Sequence, residues 1–211
     1  GKSGQSPGVW QFPNGGDYLA LLLDRHAGEQ IDIAALHDRL TAKWHALAAR
    51  ADRLLRAQGL ADGSVGQRFI AYFRRPEGLY PDSSAGRDQA VADMNRTLDR
   101  ARARVPALIG PVPPFCLAVH AQRMSPADEA AGRGGYRTVA TATTPGGYFV
   151  DLSDIKRRPR WSLGSVVHHE LLPGHMIQLP IEAAANPHPL RLEYAAAFAE
   201  GWGVYAEQLV A

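Results

Sequence analysis

His169-Glu170-Leu171-Leu172-Pro173-Gly174-His175, followed 25 residues later by Glu200 in Ala199-Glu200-Gly201-Trp202, is the stretch on which the reading of this chain turns. The run from Val166 to Pro180 carries three histidines and a glutamate, yet their neighbours Val166, Val167, Leu171, Leu172, Met176, Ile177 and Leu179 belong in a core. Imidazoles and carboxylates set among such residues need partners, because an unpaired polar group costs free energy once it leaves water. A divalent cation satisfies several of them at once.

In the common zinc-hydrolase arrangement, two histidines stand one helical turn apart, the glutamate after the first takes a proton from water, and a third ligand comes from a later helix. On that pattern His169, His175 and Glu200 would hold one Zn2+ ion and Glu170 would serve as general base. The six-residue step from His169 to His175 departs from the usual four: at about 100° per residue it leaves the side chains about 120° apart on a regular helix. Pro173 and Gly174 supply the break this requires. Pro173 lacks an N–H and its ring collides with the carbonyl of His169, while Gly174 takes backbone angles other residues refuse. His168 shares a face with His175, but about 10 Å of axial rise separates the two. It is read as a supporting or solvent-facing histidine, not a ligand. A buried helix whose histidines are satisfied by hydrogen bonds alone is the competing reading of the whole run.

The string His169-Glu-Leu-Leu-Pro-Gly-His-Met-Ile-Gln178 resembles the His-Glu-x-x-Pro-Gly-His-His-x-Gln signature of the bacterial domain of unknown function 885 family. Phe198-Ala-Glu-Gly-Trp-Gly-Val-Tyr-Ala-Glu207 is similar to that family's Val-Glu-Gly-Trp-Ala-Leu-Tyr-Ala-Glu segment. Gly8-Val-Trp-Gln-Phe-Pro-Asn-Gly-Gly-Asp-Tyr18 and Pro145-Gly-Gly-Tyr-Phe-Val-Asp151 resemble its segments upstream of the metal motif. The resemblance implies a mainly α, zincin-like (gluzincin) metallopeptidase fold with a small β-sheet, distantly like carboxypeptidase Taq, thimet oligopeptidase and angiotensin-converting enzyme. Carried over by position, it implies zinc on His169, His175 and Glu200, with Glu170 as base. Met176 departs from the family's second histidine and cannot donate an N–H. Members are usually more than twice this long, and the last helix reaches Gln208-Leu209-Val210-Ala211 with no Gly, Asn or Pro to end it. A fragment of a larger helical domain is therefore expected.

The chain has 211 residues, enough for a real core, and 45% of them are hydrophobic, as in a soluble globular protein. Its 23 basic and 21 acidic side chains give a net charge of +2, too small to indicate nucleic acid or an anionic membrane as partner. The basic run Lys156-Arg157-Arg158-Pro159-Arg160 reads as a solvated loop, with a substrate carboxylate as the alternative partner. One cysteine, Cys116, excludes an internal disulfide and a Cys-rich zinc site, and it is read as packing in a strand. No apolar run reaches transmembrane length, and the first residues lack a secretory signal, which leaves periplasmic, exported and cytoplasmic locations open. Gly1-Lys2-Ser3-Gly4 lacks the first half of a phosphate-binding loop and reads as a flexible terminus.

Three regions follow along the chain: a helical region over 1–110, a small sheet with loops over 111–160, and metal-binding helices over 161–211. A short helix is predicted from Asp17 to Ala27 and a long one from about Asp32 to Gln58, whose stripe of Ile33, Leu36, Leu40, Trp44, Leu47, Leu54 and Leu55 is assigned to the core. Ser64 caps a helix through Arg74. Arg87 to Val105 forms another helix with Val91, Met94, Leu98, Ala101 and Val105 buried, and the loop begins at Pro106. Phe115 to Ala121, Tyr136 to Thr141 and Tyr148 to Leu152 are the strands. The last of these, immediately ahead of the metal helix, is the candidate edge on which Tyr148, Phe149 and Val150 would hold an extended peptide. Tyr205 and Tyr194 are candidate donors to a developing oxyanion, with core packing favoured for each. Glu207 either orients a ligand histidine or faces solvent.

Together these readings predict a zinc-dependent peptidase acting on peptide substrates. The alternatives are a metal-bound module that binds peptide without cutting it and a purely structural zinc site.

Overall fold

A computed structural model describes residues 8–192 and 196–211. Gly1 to Gly4 and Tyr194 lie outside the described residues.

The described chain is mainly helical. It opens with α1 (Gly15–Ala27), α2 (Ile33–Ala57), α3 (Val65–Phe73) and α4 (Ser84–Ile109). Gly28 stops α1 in the left-handed region at φ 77°, where a side chain would be strained. Asp32 caps α2 by accepting from the Ala35 N–H. Ser64 and Gln67 form a reciprocal capping box on α3, which fixes where that helix starts. Helix α4 runs through Pro106 to Ile109, four residues beyond the predicted end. Next come a short α5 (Pro114–Leu117), strand β1 (Val119–Arg123), α6 (Pro126–Ala130), β2 (Tyr136–Thr138) and β3 (Gly146–Val150). Cys116 is buried, but in α5 and not in a strand, because Pro113 and Pro114 start a helical turn there.

The sheet order is β1-β3-β2, with β1 parallel and β2 antiparallel to β3. Strand β3 is therefore the central strand and has no free edge, which corrects the expectation of a substrate edge at Tyr148, Phe149 and Val150. The outer edge of β1 is also engaged. Asn95 on α4 donates to the Ala121 carbonyl and accepts from its N–H, each at 2.9 Å, as a neighbouring strand would. Arg102 donates to the carbonyls of Leu117 and Val119.

Met94, Leu98, Ala101 and Val105 of α4 meet Val119, Ala121, Tyr148 and Val150 of the sheet in one apolar core. Leu152, Ile155 and Leu163 continue it, and Val167, Leu171, Leu172, Met176 and Ile177 close it. These last residues belong to the segment that carries the histidines. Helix α7 (Arg160–Val166) passes into a π-helical turn (Val167–Leu171), then α8 (His175–Ala184), and α9 (Ala196–Val210) follows.

The long stripe on α2 behaves differently from the expectation. Only Leu55 is buried, while Ile33, Leu40, Trp44, Leu47 and Leu54 are exposed. Trp44 packs against His45 instead of a core.

Candidate metal centre

The spacing between His169 and His175 is resolved by two successive departures from α geometry. The π-helical turn at Val167–Leu171 widens the helix by one residue per turn, which re-aims His169 relative to α7. Leu172 then leaves the helix in an extended conformation, the Leu172-Pro173 bond is cis, and α8 restarts at His175 with Gly174 as its N-cap. Gly174 is required sterically: a Cβ there would lie 1.9 Å from the His169 carbonyl oxygen. Trp202 of α9 pins the break by donating its indole N–H to the carbonyls of Pro173 and Gly174, at 3.0 and 3.1 Å.

The result is a compact donor set. His169, His175 and Glu200 each offer one potential ligand atom, and these atoms all lie within 4.8 Å of one another. The two imidazoles meet edge-on with centroids 4.9 Å apart. Nε2 of His169 stands 3.4 Å and Nε2 of His175 3.7 Å from Glu200 oxygens, so both rings turn the same nitrogen toward one carboxylate. The other nitrogen of His169 is held by Glu207, whose Oε1 lies 2.8 Å from Nδ1. Glu207 in turn accepts from the Ser165 hydroxyl. Glu207 is thus a partner of His169 and not a bare surface acid, and it favours the tautomer that leaves Nε2 with a lone pair.

Gly203 makes room for this arrangement. A Cβ at that position would fall 2.6 to 2.8 Å from three atoms of the His169 ring. Glu200, Gly203 and Glu207 recur at helical spacing on α9, so one face supplies a carboxylate, a space and a second carboxylate.

Burial sets the charge states. His175 is 1% exposed, and desolvation, helped by the Arg137 guanidinium, pushes its pKa down to about 4. It is neutral at pH 7, the form that ligates cations. Burial pushes the Glu170 carboxyl above its ordinary value, although the Arg137 guanidinium and His169 pull the other way and Glu200 adds to the rise. A carboxylate with a raised pKa is a better proton acceptor.

Arg137, on β2, was not singled out in the sequence. Its guanidinium stands 3.0 Å from Glu170 Oε2 without hydrogen-bond alignment. Among the described residues, these two atoms have no hydrogen-bond partner besides their ion pair, and Nε2 of His175 is buried without one. A divalent cation would fit the donor set of two imidazoles and a carboxylate. No signal in the sequence distinguished Arg137 from the other arginines, because its role depends on strand pairing that brings it opposite Tyr148.

The remaining candidates fall on both sides of this site. His168 stays out of the cluster and pairs its Nδ1 with the Leu172 carbonyl at 3.0 Å, which supports the break in the helix. Met176 is fully buried and faces the core. Tyr148 is close enough for the charge of Glu170 to join burial in raising its phenol pKa. Phe149 projects from the opposite face and stacks on Tyr136, with centroids 4.6 Å apart. Val150 is sealed in the core, where a substrate cannot reach it. Tyr205 is exposed and lies against Trp202, with ring centroids 5.9 Å apart, and is not packed in the core. In the basic run, Lys156 pairs with Asp82 and Arg160 with Asp93.

The description of bacterial proteins of unknown function known as DUF885 matches residues 2–211, and the chain belongs to that family. It is similar to the crystal structure of a candidate lipoprotein from Colwellia psychrerythraea, at 27% identity and a TM-score of 0.83. That likeness covers 96% of this chain and 35% of the Colwellia protein, so this chain spans about a third of that protein's length. No curated protein matches the chain. Among the described residues, no helix is long and apolar enough to cross a membrane.

Proposed function

We propose that this DUF885 chain carries the catalytic centre of a zinc-dependent peptidase of the zincin-like, gluzincin type. The observation that carries the reading is the convergence of His169, His175 and Glu200 donor atoms within 4.8 Å, beside a glutamate that follows the first histidine directly. His169, His175 and Glu200 would hold the zinc ion, which would supply Lewis acidity at the site. Glu170 would act as general base toward an attacking water and return the proton to the leaving amine. Glu207 keeps His169 in the ligating tautomer, and Arg137 steadies Glu170 until substrate enters.

The substrate rail moves from β3 to β2. With β3 paired on both sides and the outer edge of β1 engaged by Asn95 and Arg102, the outer edge of β2 is where an extended peptide would add a strand. Arg137 sits on that strand and reaches Glu170, so a peptide on this edge passes the base. Backbone pairing of this kind holds a carbonyl in place without demanding a sequence.

Replacing Glu170 by Gln tests the reading. The variant should keep equimolar zinc, measured by elemental analysis, and lose at least about 100-fold in peptide hydrolysis, the usual scale for a general base. An unchanged rate would sink the role of Glu170. A wild-type protein that holds zinc but cuts no peptide in a mixed library would favour the second reading, a peptide-binding module without hydrolysis. The Arg137 contact is the observation on that side, because it occupies the carboxylate that must accept the proton.

A further inference from the structure

Arg137 brings a positive charge against the base of the site, and the pairing of the strands puts it there. It lies directly opposite Tyr148 of β3, and residues paired in this way project from one face of a sheet, here the face turned toward Glu170. Nη1 stands 3.0 Å from Glu170 Oε2, both atoms are buried, and the contact lacks the alignment of a hydrogen bond. Among the described residues, Glu170 is the only ionic partner of Arg137. A guanidinium carries five N–H groups in a fork that matches a carboxylate through two of them at once, and this contact uses less than that. The Arg137 side chain is 30% exposed, so a molecule entering the site can reach it.

Glu170 cannot hold this guanidinium and take a proton from water at the same time. If it simply let go, a half-buried positive charge would be left uncompensated. An incoming carboxylate resolves both difficulties, because it takes over Arg137 in the two-bonded geometry and releases Glu170. The reach agrees. A base acts within about 3 Å of the oxygen it deprotonates, and Arg137 stands 3.0 Å from that base. One residue of extended chain spans about 3.3 Å, so a carboxylate one residue from the scissile bond falls at the guanidinium. The basic run read from the sequence as another carboxylate partner is engaged elsewhere, with Lys156 on Asp82 and Arg160 on Asp93.

We infer that Arg137 anchors a substrate carboxylate one residue from the scissile bond, and that this carboxylate displaces Glu170 from the guanidinium as the peptide binds. The inference deepens the peptidase reading and rests on it for the place of the scissile bond. Two sources carry the same chemistry: the free C-terminus of a peptide, and the side chain of an Asp or Glu beside the cleaved bond.

The test compares kcat/KM for three forms of one short peptide in the wild type, Arg137→Gln and Arg137→Lys. One form has a free C-terminus, one is amidated, and one is amidated with Asp set beside the scissile bond. The wild type should favour a carboxylate-bearing form over the neutral amide by about 10- to 100-fold, the scale of a charge-assisted pair. Preference for the free acid assigns the C-terminus as the anchored group, and preference for the Asp form assigns the side chain. Arg137→Gln should bring the ratio close to one, while Arg137→Lys, which keeps the charge without the fork, should keep part of it. A role confined to steadying Glu170 changes the rates of all three forms together, so a ratio preserved in Arg137→Gln overturns the inference, as does a wild type indifferent to the carboxylate. Isothermal titration of the same three peptides into the intact protein decides the case in which no peptide is cut and the peptidase reading fails. Tighter binding of a carboxylate form, lost in Arg137→Gln, upholds the anchor, and equal binding of the three forms, or none, overturns it.

Discussion

Helices α2 and α4 are almost the same length, 25 and 26 residues, and each carries an apolar stripe at three-and-four spacing. On α4 the stripe is buried: Met94, Leu98, Ala101 and Val105 are each at most 2% exposed. On α2 the bulkier stripe faces water, with Trp44 at 65% and Leu47 at 51% exposure. The difference lies in what stands opposite. Helix α4 has the sheet on one side and the histidine-bearing segment on the other, and its Asn95 and Arg102 lock onto β1. Helix α2 is held by α3 through a few polar contacts, chiefly Arg68 to Asp52 and to the Leu60 carbonyl. Amphipathic periodicity thus reports that a helix has a face to bury, and tertiary contacts decide whether anything covers it.

The sharpest break in that comparison is Leu98→Ala. A fully buried leucine on α4 should cost about 3 kcal/mol, within the range for Leu→Ala in a core, measured by urea denaturation. Because α4 also backs the segment with the histidines, metal content should become sensitive to mild denaturant in this variant. Gly203→Ala comes next. Its methyl would drive into the His169 ring, and zinc affinity measured by competition with a chelator should fall about 10- to 100-fold. Gly201→Ala, where a Cβ meets nothing within 4 Å, is the matched control and should bind zinc as the wild type does.

A smaller effect is expected at the α2–α3 clamp. The Arg68 and Arg56 guanidiniums hold the Asp52 carboxyl below its ordinary value of 3.8. A depressed folded-state pKa contributes stability that is present above the unfolded value and is lost as pH falls through the folded one. The wild type should therefore be more stable than Asp52→Asn at about pH 5 and above, and the gap should close as pH falls below the ordinary carboxylate value, followed by thermal melts across acid pH. Smallest of all is Leu47→Ala on the exposed face of α2, which should change stability by less than about 0.5 kcal/mol. A cost near that of Leu98→Ala would mean that α2 is covered in solution.

Much of this architecture is legible in the residues. The α4 stripe, the start of α2 near Asp32, the cap Ser64 and the stop at Gly28 were each readable because they depend on neighbours within one or two helical turns. Pro173 and Gly174 announced a break between the histidines for the same reason. The extent of the break was not readable, since the π-helical turn begins before the proline and Leu172 leaves the helix as well. Strand order was misjudged at β3. Gly146 to Val150 has the composition of a strand, but composition does not say which strands flank it. Arg137 was missed because it acquires its role from a residue brought in by another element.

By itself, the sequence determined the donor chemistry of this protein, two histidines, a following glutamate and a later glutamate, together with the helices that carry them. Those properties are local, set by residue type and by spacing along one helix. Only the tertiary structure decided that Glu207 and Gly203 serve His169, that Arg137 reaches Glu170, that β3 is enclosed, and that the stripe on α2 lies open. Each of these depends on contacts between residues far apart in the chain, and burial, pairing and charge compensation are properties of such contacts and not of the residues alone.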